Sequence, residues 1–365
     1  MLNFSNVTTP YLKGTYFIKI TTYFPLIFVK DFMQDLHGKH EVISIVLPFK
    51  NEVRYLTECI DSICSQTYDF WELLLVDDHS TDGSPEIAQR FTTVDKRIRY
   101  FKNPSHGVIE AMKFGFAQST GNLITRMDGD DIKTPDNLEQ LLNAVSPGVI
   151  GVGQVKYFKT DGVGAGYSRY EEWINERTKL NNSFEEVYKE CVIPSPCWLV
   201  YRNDFIQAGG FDSLFYPEDY DLCFRFYKAG LKTKGTLSII HFWRDHDIRT
   251  TRTSPHYADN RFMDLKLHYF NEIDCDPNKT QVLWGAGKKG KYIAKNWQDN
   301  NISFIWLTDN PNKIGHDIYG KVIQSPQTIE FNSNHQIVVA VAEPGGQEEI
   351  KLKTQDEGLS MFWMC

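Results

Sequence analysis

A repeated alternation of strand-like and helix-like segments constrains this fold most. An apolar strand, Ile43 to Phe49, is followed by helical apolar spacing over Val53 to Cys64, and a second strand begins at Trp71. Two more strands, each after a helical segment, cover Arg97 to Asn103 and the sequence NLITRM, residues 122–127. Parallel strands need such crossover helices, so the pattern predicts an α/β fold with a doubly wound, mostly parallel sheet. Such sheets bind their ligands at the carboxyl ends of the strands.

Acidic side chains follow two of these strands directly. Asp77 and Asp78 end the second strand. Asp128, Asp130 and Asp131 crowd together after the fourth strand, in LITRMDGDD. Like charges this close are unfavourable without a cation, and carboxylate oxygens are the ligands that Mg²⁺ and Mn²⁺ prefer. The alternative for the second cluster is a helix N-cap with spare solvated acids.

The overall composition limits the class of protein. The chain has 365 residues, 41% of them hydrophobic, which is enough for a large core and for two domains. Its net charge of −8 argues against nucleic acid as a partner, although one basic pocket for a diphosphate is compatible with it. The seven cysteines are scattered, odd in number and without a CxxC pair, which is typical of reduced packing residues in a cytoplasmic protein.

Residues 1–40 read as an apolar, aromatic N-terminal extension, interrupted by Lys19, Pro25 and Lys30. A membrane-spanning helix needs about 20 apolar residues, so this segment is too broken to span a bilayer. No small-residue cleavage site of a secretory signal follows it. It is either an interfacial anchor, which would give peripheral membrane contact, or an extension that is not part of the fold. We favour the second interpretation.

The C-terminal part of the chain repeats the order strand, glycine turn, helix, strand. A polar linker, residues 272–280, leads to a Rossmann-like module over residues 281–365. The sequence GAGKKG, residues 285–290, fits GxGxxG, and Asp309 lies about 20 residues beyond, as in a dinucleotide site. The module has no catalytic groups for hydride transfer, so no NAD is expected. The glycines serve close strand-to-helix packing or hold a phosphate at the helix N-terminus, and we favour packing.

Ordered motifs along the chain resemble those of the inverting family 2 glycosyltransferases, which have the GT-A fold. The motifs are SIVLPFKNE (Ser44 to Glu52), LLLVDDHSTDGS, the Gly107 to Gly121 segment, MDGDD, GGFDSLFYPEDYDLCFRFYKAG (Gly209 to Gly230) and FWRDH (Phe242 to His246). Each motif alone is weakly diagnostic, and their order and spacing carry the resemblance. It implies a GT-A glycosyltransferase domain over residues 41–271.

The resemblance assigns roles to residues in these motifs. It places one divalent ion, Mn²⁺ or Mg²⁺, at the DXD motif, with Asp130 as direct ligand, Asp128 nearer the donor and His246 as a further ligand. The donor-binding residues would be Pro48, Glu52, Asp77, Asp78, Asp128 and Arg244. The general base of the acidic motif would be Asp219, with Glu218 as second candidate. Acids in a first helical turn also act as plain dipole partners, which is the structural alternative for this pair.

The predicted function is metal-dependent, inverting transfer of a sugar from a nucleotide-diphosphate donor, with UDP favoured, to a hydroxyl of a glycan or lipid-linked acceptor. The acceptor side is expected within Val149 to Pro196. Envelope polysaccharide or glycolipid synthesis, in the cytoplasm or at the inner face of the membrane, fits such an enzyme. The alternatives are a degenerate glycan-binding or nucleotide-binding protein and a sugar nucleotidyltransferase. The latter should carry a Gly-rich, Arg-containing loop after the first strand, where this chain has PFKNEVRYL.

Overall fold

The structure, a computed structural model, describes residues 40–159, 162–213, 215–247, 262–354 and 358–365. The predicted N-terminal extension therefore lies outside the described residues, except for its last position. Residues 41–365 form one compact unit that contains two β-sheets. No helix in the described ranges is long and apolar enough to cross a membrane.

The first half of the larger sheet is the predicted alternation of strands and helices. Its elements are β1 (Ile43–Phe49), α1 (Leu56–Cys64), β2 (Trp71–Asp77), α2 (Ser84–Val94), β3 (Ile98–Lys102), α3 (Val108–Gln118) and β4 (Leu123–Arg126). β1 pairs in parallel with β2 and β4, and β2 pairs in parallel with β3. β1 and β2 are buried along their whole length, as expected of parallel strands covered on both faces. The predicted α/β fold class is confirmed.

The second half of this sheet brings distant segments to the end of β4. Its elements are β5 (Ile132–Lys133), α4 (Asn137–Ala144), β6 (Val149–Phe158), α5 (Ala165–Leu180), β7 (Trp198–Tyr201), α6 (Arg202–Gln207), α7 (Glu218–Lys228) and β8 (Lys232–Arg244). The strand order is β3-β2-β1-β4-β7-β6-β8-β5, with β7 antiparallel to both β4 and β6. Because β5 pairs antiparallel with the end of β8, the acids before β5 meet the residues that follow β8.

The second sheet follows helix α8 and a π-helical turn. The elements are α8 (Phe262–Tyr269), the π-helix Phe270–Asp274, β9 (Thr280–Trp284), α9 (Lys288–Asp299), β10 (Phe304–Leu307), β11 (Asp317–Ile318), β12 (Lys321–Gln324), β13 (His335–Val339), α10 (Pro344–Thr354) and β14 (Ser360–Trp363). The order is β11-β12-β10-β9-β13-β14, and the pairs from β12 to β14 are parallel. This is the doubly wound pattern of a Rossmann-like sheet. The exact domain boundaries stay predictions.

The glycine turn, residues 285–290, connects β9 to α9 by close packing. A Cβ on Gly290 would lie 1.9 Å from the carbonyl oxygen of Gly285, so only glycine lets the helix approach the turn. Asp309, the acid expected at a ribose, accepts hydrogen bonds from Trp284 Nε1 at 2.7 Å and from Lys353 Nζ at 2.8 Å. These contacts support the packing role of the glycines, and the absence of NAD stays a prediction.

One hydrophobic core runs from the first sheet to the second. Phe270 lies at the centre of the junction, with its ring 5.9 Å from Tyr188, 6.0 Å from Trp297 and 5.1 Å from Phe362 between ring centroids. Tyr188 also donates a hydrogen bond to Asp274, inside the segment predicted to be a linker. Aromatic rings bury large areas, so this junction ties the second sheet firmly to the first.

Candidate active site

The carboxyl ends of β1 and β4 open into a cavity of about 980 Å³, which α5, α7 and the end of β8 also line. Eight of the predicted site residues line it: Pro48, Glu52, Asp78, Asp128, Asp130, Glu218, Asp219 and His246. Asp77 and Arg244 do not. The motifs that are far apart in the sequence thus converge on one cavity at the edge where a doubly wound sheet binds its ligands.

Arg126, the last residue of β4, links two acidic motifs at the cavity wall. Its guanidinium is buried and donates to Asp128 Oδ1 at 2.5 Å and to Glu218 Oε1 at 3.1 Å. Burial alone would lower the pKa of Arg126, but the charges of Asp128 and Glu218 outweigh that effect and raise it. Arg126 therefore stays charged and balances half of the negative charge of these two carboxylates.

Asp130 and His246 form the pair best placed to hold a cation. Asp130 Oδ2 lies 2.9 Å from His246 Nε2, and the Nδ1 atom of His246 is buried without a hydrogen-bond partner. Glu52 lies close by, and burial together with Asp130 and Asp128 raises its pKa to about 8. Burial and these acidic neighbours together favour the protonated form of Glu52, which indicates a part of the cavity that is rich in negative charge. Oxygen and imidazole ligands in this arrangement fit Mn²⁺ or Mg²⁺.

A second group of metal-ligand type lies near the end of β2 and was not predicted from the sequence. Asp78, His79 and His106 each place one ligand atom within 4.8 Å of the others, and the two imidazole rings stack at 4.1 Å. His79 Nε2 already contacts the carbonyl oxygen of Ser105 at 2.7 Å. His79 lies in the same motif as Asp77 and Asp78, but His106 follows a different strand, so the sequence pattern did not join these three residues.

Asp219 lies in the first turn of α7, where the chain enters the helix from Pro217. Its Oδ1 accepts a hydrogen bond from the backbone N–H of Tyr220 at 2.8 Å. Burial, followed by the charge of Glu218, raises the pKa of Asp219 to about 7, and Arg126 opposes that rise. A carboxylate with a pKa near neutrality is suited to accept a proton during a reaction. Glu218 is instead held in its ion pair with Arg126.

The two acids at the end of β2 have different surroundings. Asp78 faces the cavity and accepts hydrogen bonds from Asn103 Nδ2 at 2.8 Å and from the backbone N–H of Gly107 at 2.9 Å. Asp77 is buried behind it and accepts from the backbone N–H of Ser80 at 2.8 Å and from Tyr100 at 3.2 Å. Asp78 is thus available to a donor nucleotide, whereas Asp77 shapes the turn that follows the strand.

Arg244 supports the acidic loop and does not line the cavity, and its predicted role in donor binding stays a prediction. Its Nε donates to the backbone oxygen of Asp130 at 2.7 Å, and its Nη2 donates to Glu58 at 2.6 Å. The guanidinium lies 4.6 Å from the ring of Tyr55 and 4.5 Å from that of Phe158. These contacts fix the backbone of the DXD motif.

An aromatic wall of this cavity was also not indicated by the sequence. Tyr157 of β6 stacks on Trp243 of β8 at 5.0 Å, and Tyr167 and Tyr170 of α5 extend this wall. Flat apolar rings of this kind pack well against sugar rings. The four residues come from three separate elements, so no local sequence pattern joins them.

Comparison with known proteins identifies the family. The sequence model described as "Glycosyl transferase family 2" matches residues 44–209. "Glycosyltransferase GlyG" of Streptococcus pneumoniae is 40% identical over 106 residues, covering 29% of this chain and 35% of that protein. "Glycosyltransferase AglE" of Haloferax volcanii is 30% identical over 172 residues, covering 46% of this chain and 55% of AglE. The chain therefore spans about a third to a half of the length of these relatives.

A solved structure shares the fold of the first sheet. Residues 1–349 of S. aureus TarS, crystallised in complex with UDP-GlcNAc, match with a TM-score of 0.50 and 15% identity, over 64% of this chain and 68% of that one. At this identity the likeness concerns the fold alone. The predicted family is confirmed: the chain carries a family 2 glycosyltransferase domain with the GT-A fold.

Proposed function

We propose that this family 2 glycosyltransferase domain transfers a sugar from a nucleoside-diphosphate donor to an acceptor hydroxyl, with inversion at the anomeric carbon and with the help of one divalent cation. The observation that carries the proposal is the meeting of two groups in one cavity. The Asp130–His246 pair suits a cation, and Asp219 suits a general base. Metal-dependent, inverting transfer from a nucleotide donor uses both.

The leaving group is a nucleoside diphosphate, whose negative charge grows as its bond to the sugar breaks. A bound Mn²⁺ or Mg²⁺ neutralises that charge as a Lewis acid, an effect worth several kcal/mol. Asp130 and His246 would hold the ion, while Asp128 is oriented by Arg126 toward the donor side. Arg244 keeps the Asp130 backbone in place through its hydrogen bond to the carbonyl oxygen.

Asp219 accepts the proton of the acceptor hydroxyl as its oxygen attacks the anomeric carbon. Attack on the face opposite the diphosphate inverts the configuration in a single displacement. Glu218 is less suited to this role, because its carboxylate is held by the buried guanidinium of Arg126. General base catalysis of this kind contributes about 10²- to 10⁴-fold in rate.

The donor lies between the ends of β1 and β2, where Pro48, Glu52 and Asp78 line the cavity. Asp78 can accept hydrogen bonds from a base or ribose, and the ammonium of Lys50 lies 3.7 Å from its carboxylate. We favour UDP as the nucleotide, because the TarS structure of the same fold was crystallised with UDP-GlcNAc. The acceptor is proposed to be a glycan or lipid-linked sugar of an envelope polysaccharide or glycolipid, reached from the cytoplasm or the inner membrane face.

The test combines a variant with metal removal. Asp130→Ala should abolish sugar transfer and donor hydrolysis, and it should remove the Mn²⁺-dependent part of the thermal shift produced by UDP. Asp69→Ala is the matched control, since the Asp69 side chain is 82% exposed and lies outside the cavity lining. Full wild-type activity in EDTA would refute the metal dependence. Retention of configuration in the product, read by NMR, would refute inversion.

The same measurements separate the alternatives. A degenerate binding protein would show the nucleotide-dependent thermal shift without hydrolysis of any donor sugar, even in a sensitive assay. A nucleotidyltransferase would release pyrophosphate from a nucleoside triphosphate and a sugar phosphate.

A further inference from the structure

A second cavity, of about 390 Å³, lies where the glycosyltransferase domain meets the second sheet. We call it the basic cavity, because four cations line it: Arg169, Lys189, Lys266 and Lys289. The other lining residues are Tyr170, Trp173, Glu190, Phe262, Met263 and Cys365. The chain as a whole carries a net charge of −8, so this concentration of positive charge runs against its overall character.

Lys266 is the residue that marks the basic cavity as a binding site. Its side chain is only 4% exposed, and its ammonium donates to the carbonyl oxygens of Lys189 at 2.8 Å and Met364 at 3.3 Å. An ammonium has three donors, so one remains without an acceptor among the described residues. Burial lowers the pKa of Lys266 to about 8, and the charge of Glu190 opposes this. A buried cation is unfavourable unless an anion compensates it.

The other cations of this cavity have few charged partners. Among the described residues, Lys189 pairs with Glu186 at 3.5 Å, and Lys289 forms a hydrogen bond with the side chain of Cys365, which also lines the cavity. Arg169 and Lys289 form no ion pair with an acidic side chain in the described part of the chain, and Glu190 is the single acidic side chain in the lining. Cations therefore outnumber acidic side chains here, which favours an anionic ligand.

The basic cavity adjoins the proposed active site. Tyr170, Glu190 and Phe262 line both cavities, so a molecule could extend from one to the other past these three side chains. Tyr170 and Trp173 of α5 stack at 5.8 Å, which provides a surface for a sugar ring beside the cations. Lys289 comes from the glycine turn of the second sheet and lies in the first turn of α9. A helix N-terminus adds further positive potential for an anion.

We propose that the basic cavity is an acceptor subsite that binds a phosphate group of a phosphorylated sugar or phosphodiester-linked glycan. Lys266 and Lys289 are its principal ligands, and the Tyr170–Trp173 pair packs against the adjoining sugar. The proposal rests on the proposed glycosyl transfer and adds the chemical class of the acceptor. It also gives the second sheet a role, because that sheet supplies one wall of the subsite.

The first experiment is a calorimetric titration of the full chain in the presence of saturating UDP and Mn²⁺, so that the donor site is occupied. Glucose 6-phosphate should bind at least about tenfold more tightly than glucose, as hydrogen bonds to charged groups predict. Lys289→Glu should weaken that binding at least about tenfold. Lys288→Glu is the matched control, because Lys288 is the exposed neighbour of Lys289 and does not line the basic cavity; its effect should stay within about twofold.

Three results would overturn the proposal. The first is absence of a preference for glucose 6-phosphate over glucose in the wild type. The second is an equal loss in the two lysine variants, which would indicate a diffuse field and no built site. The third is equally tight binding of glucuronate, which would make the ligand a carboxylate in place of a phosphate.

A kinetic measurement separates this proposal from the proposed function. Hydrolysis of the donor without acceptor should be the same in wild type and in Lys288→Glu. If the wild type hydrolyses no donor, the proposed function fails while the titration still tests the basic cavity. With a phosphorylated acceptor found in a sugar-phosphate panel, Lys289→Glu should raise the KM for acceptor and leave the KM for donor unchanged. A raised KM for donor alone would place the basic cavity in the donor site and overturn the assignment.

Discussion

Replacement of Asp219 by Asn tests the catalytic assignment most directly. The change keeps the size of the side chain and its hydrogen bond from the Tyr220 N–H, and it removes the carboxylate that would accept the proton. Turnover should fall by at least about 10²-fold, and donor binding with Mn²⁺ should remain, because Asp130 and His246 are untouched. The measurement is UDP release under saturating donor, together with the thermal shift produced by UDP and Mn²⁺.

The pH profile supplies the sharper part of the test. A base with a pKa of about 7 is half ionised at neutral pH and about 1% ionised two pH units below, so kcat should fall about 50-fold between pH 7 and pH 5. Glu218→Gln is the matched neighbour. Removing its negative charge and releasing Arg126 both lower the pKa of Asp219, so the acid limb of the profile should move to lower pH.

Stability gives an independent reading of the same group. Burial raises the pKa of Asp219 in the folded state above the usual value of an aspartate, so the fold favours the protonated form. Its ionisation therefore destabilises the native state progressively as pH rises from about 4 to about 7. The melting temperature of Asp219→Asn relative to wild type should increase over that interval. If only the KM for donor rises, or if the acid limb persists unchanged in Asp219→Asn, Asp219 is not the base.

Two further predictions concern stability. Arg126→Leu should lower the free energy of unfolding, measured in urea, by about 3–5 kcal/mol, because it leaves Glu218 in a buried site without its partner. A loss below about 1 kcal/mol would contradict this role for the ion pair. Gly290→Ala should lower the free energy of unfolding by about 1–3 kcal/mol, because its Cβ would collide with the backbone oxygen of Gly285. Gly287→Ala is the control and should be nearly neutral, because a Cβ at that position meets open space. Equal effects in the two variants would refute the packing role of the glycine turn.

The sequence predicts those site residues that directly follow one strand. Asp78 and Asp130 follow apolar strands directly, and parallel strands place such residues at one edge of the sheet whatever the details of packing. Asp219 and His246 lie in contiguous acidic and aromatic motifs whose family resemblance supplied their roles. The fold class follows from the same periodicity, because alternation of buried strands and helices leaves few topologies open.

Contacts between side chains that are far apart in the sequence could not be predicted from local patterns. Arg126 and Glu218 are 92 positions apart, and nothing in the local pattern of either residue selects the other. The family resemblance places Arg244 among the donor-binding residues, and that role stays a prediction. Its guanidinium donates to Glu58 and to the backbone of Asp130, because the pairing of β5 with β8 brings it close to the acidic loop. Such choices depend on three-dimensional register, which sequence spacing does not encode for distant strands.

The second sheet shows how a familiar turn can serve a different purpose. In a dinucleotide site the glycine turn leaves its backbone open to a pyrophosphate, and an acid after the second strand holds the ribose. Here Trp306 Nε1 donates to the oxygen of Gly285 at 2.9 Å, Lys313 Nζ donates to the oxygen of Ala286 at 2.9 Å, and Asp309 is held by Trp284 and Lys353. These internal contacts occupy two carbonyl oxygens of the turn and the carboxylate of Asp309, and that no NAD binds here stays a prediction.

What the turn still presents is Lys289, in the first turn of α9, and its side chain lines the basic cavity beside the proposed active site. The core around Phe270 packs the second sheet against the glycosyltransferase domain, and this packing fixes the position of Lys289. The N-terminus of α9 therefore contributes positive potential to a neighbouring cavity. Disruption of this packing should therefore impair acceptor binding before it impairs donor hydrolysis, because the donor residues belong to β1, β2 and β4 and their loops.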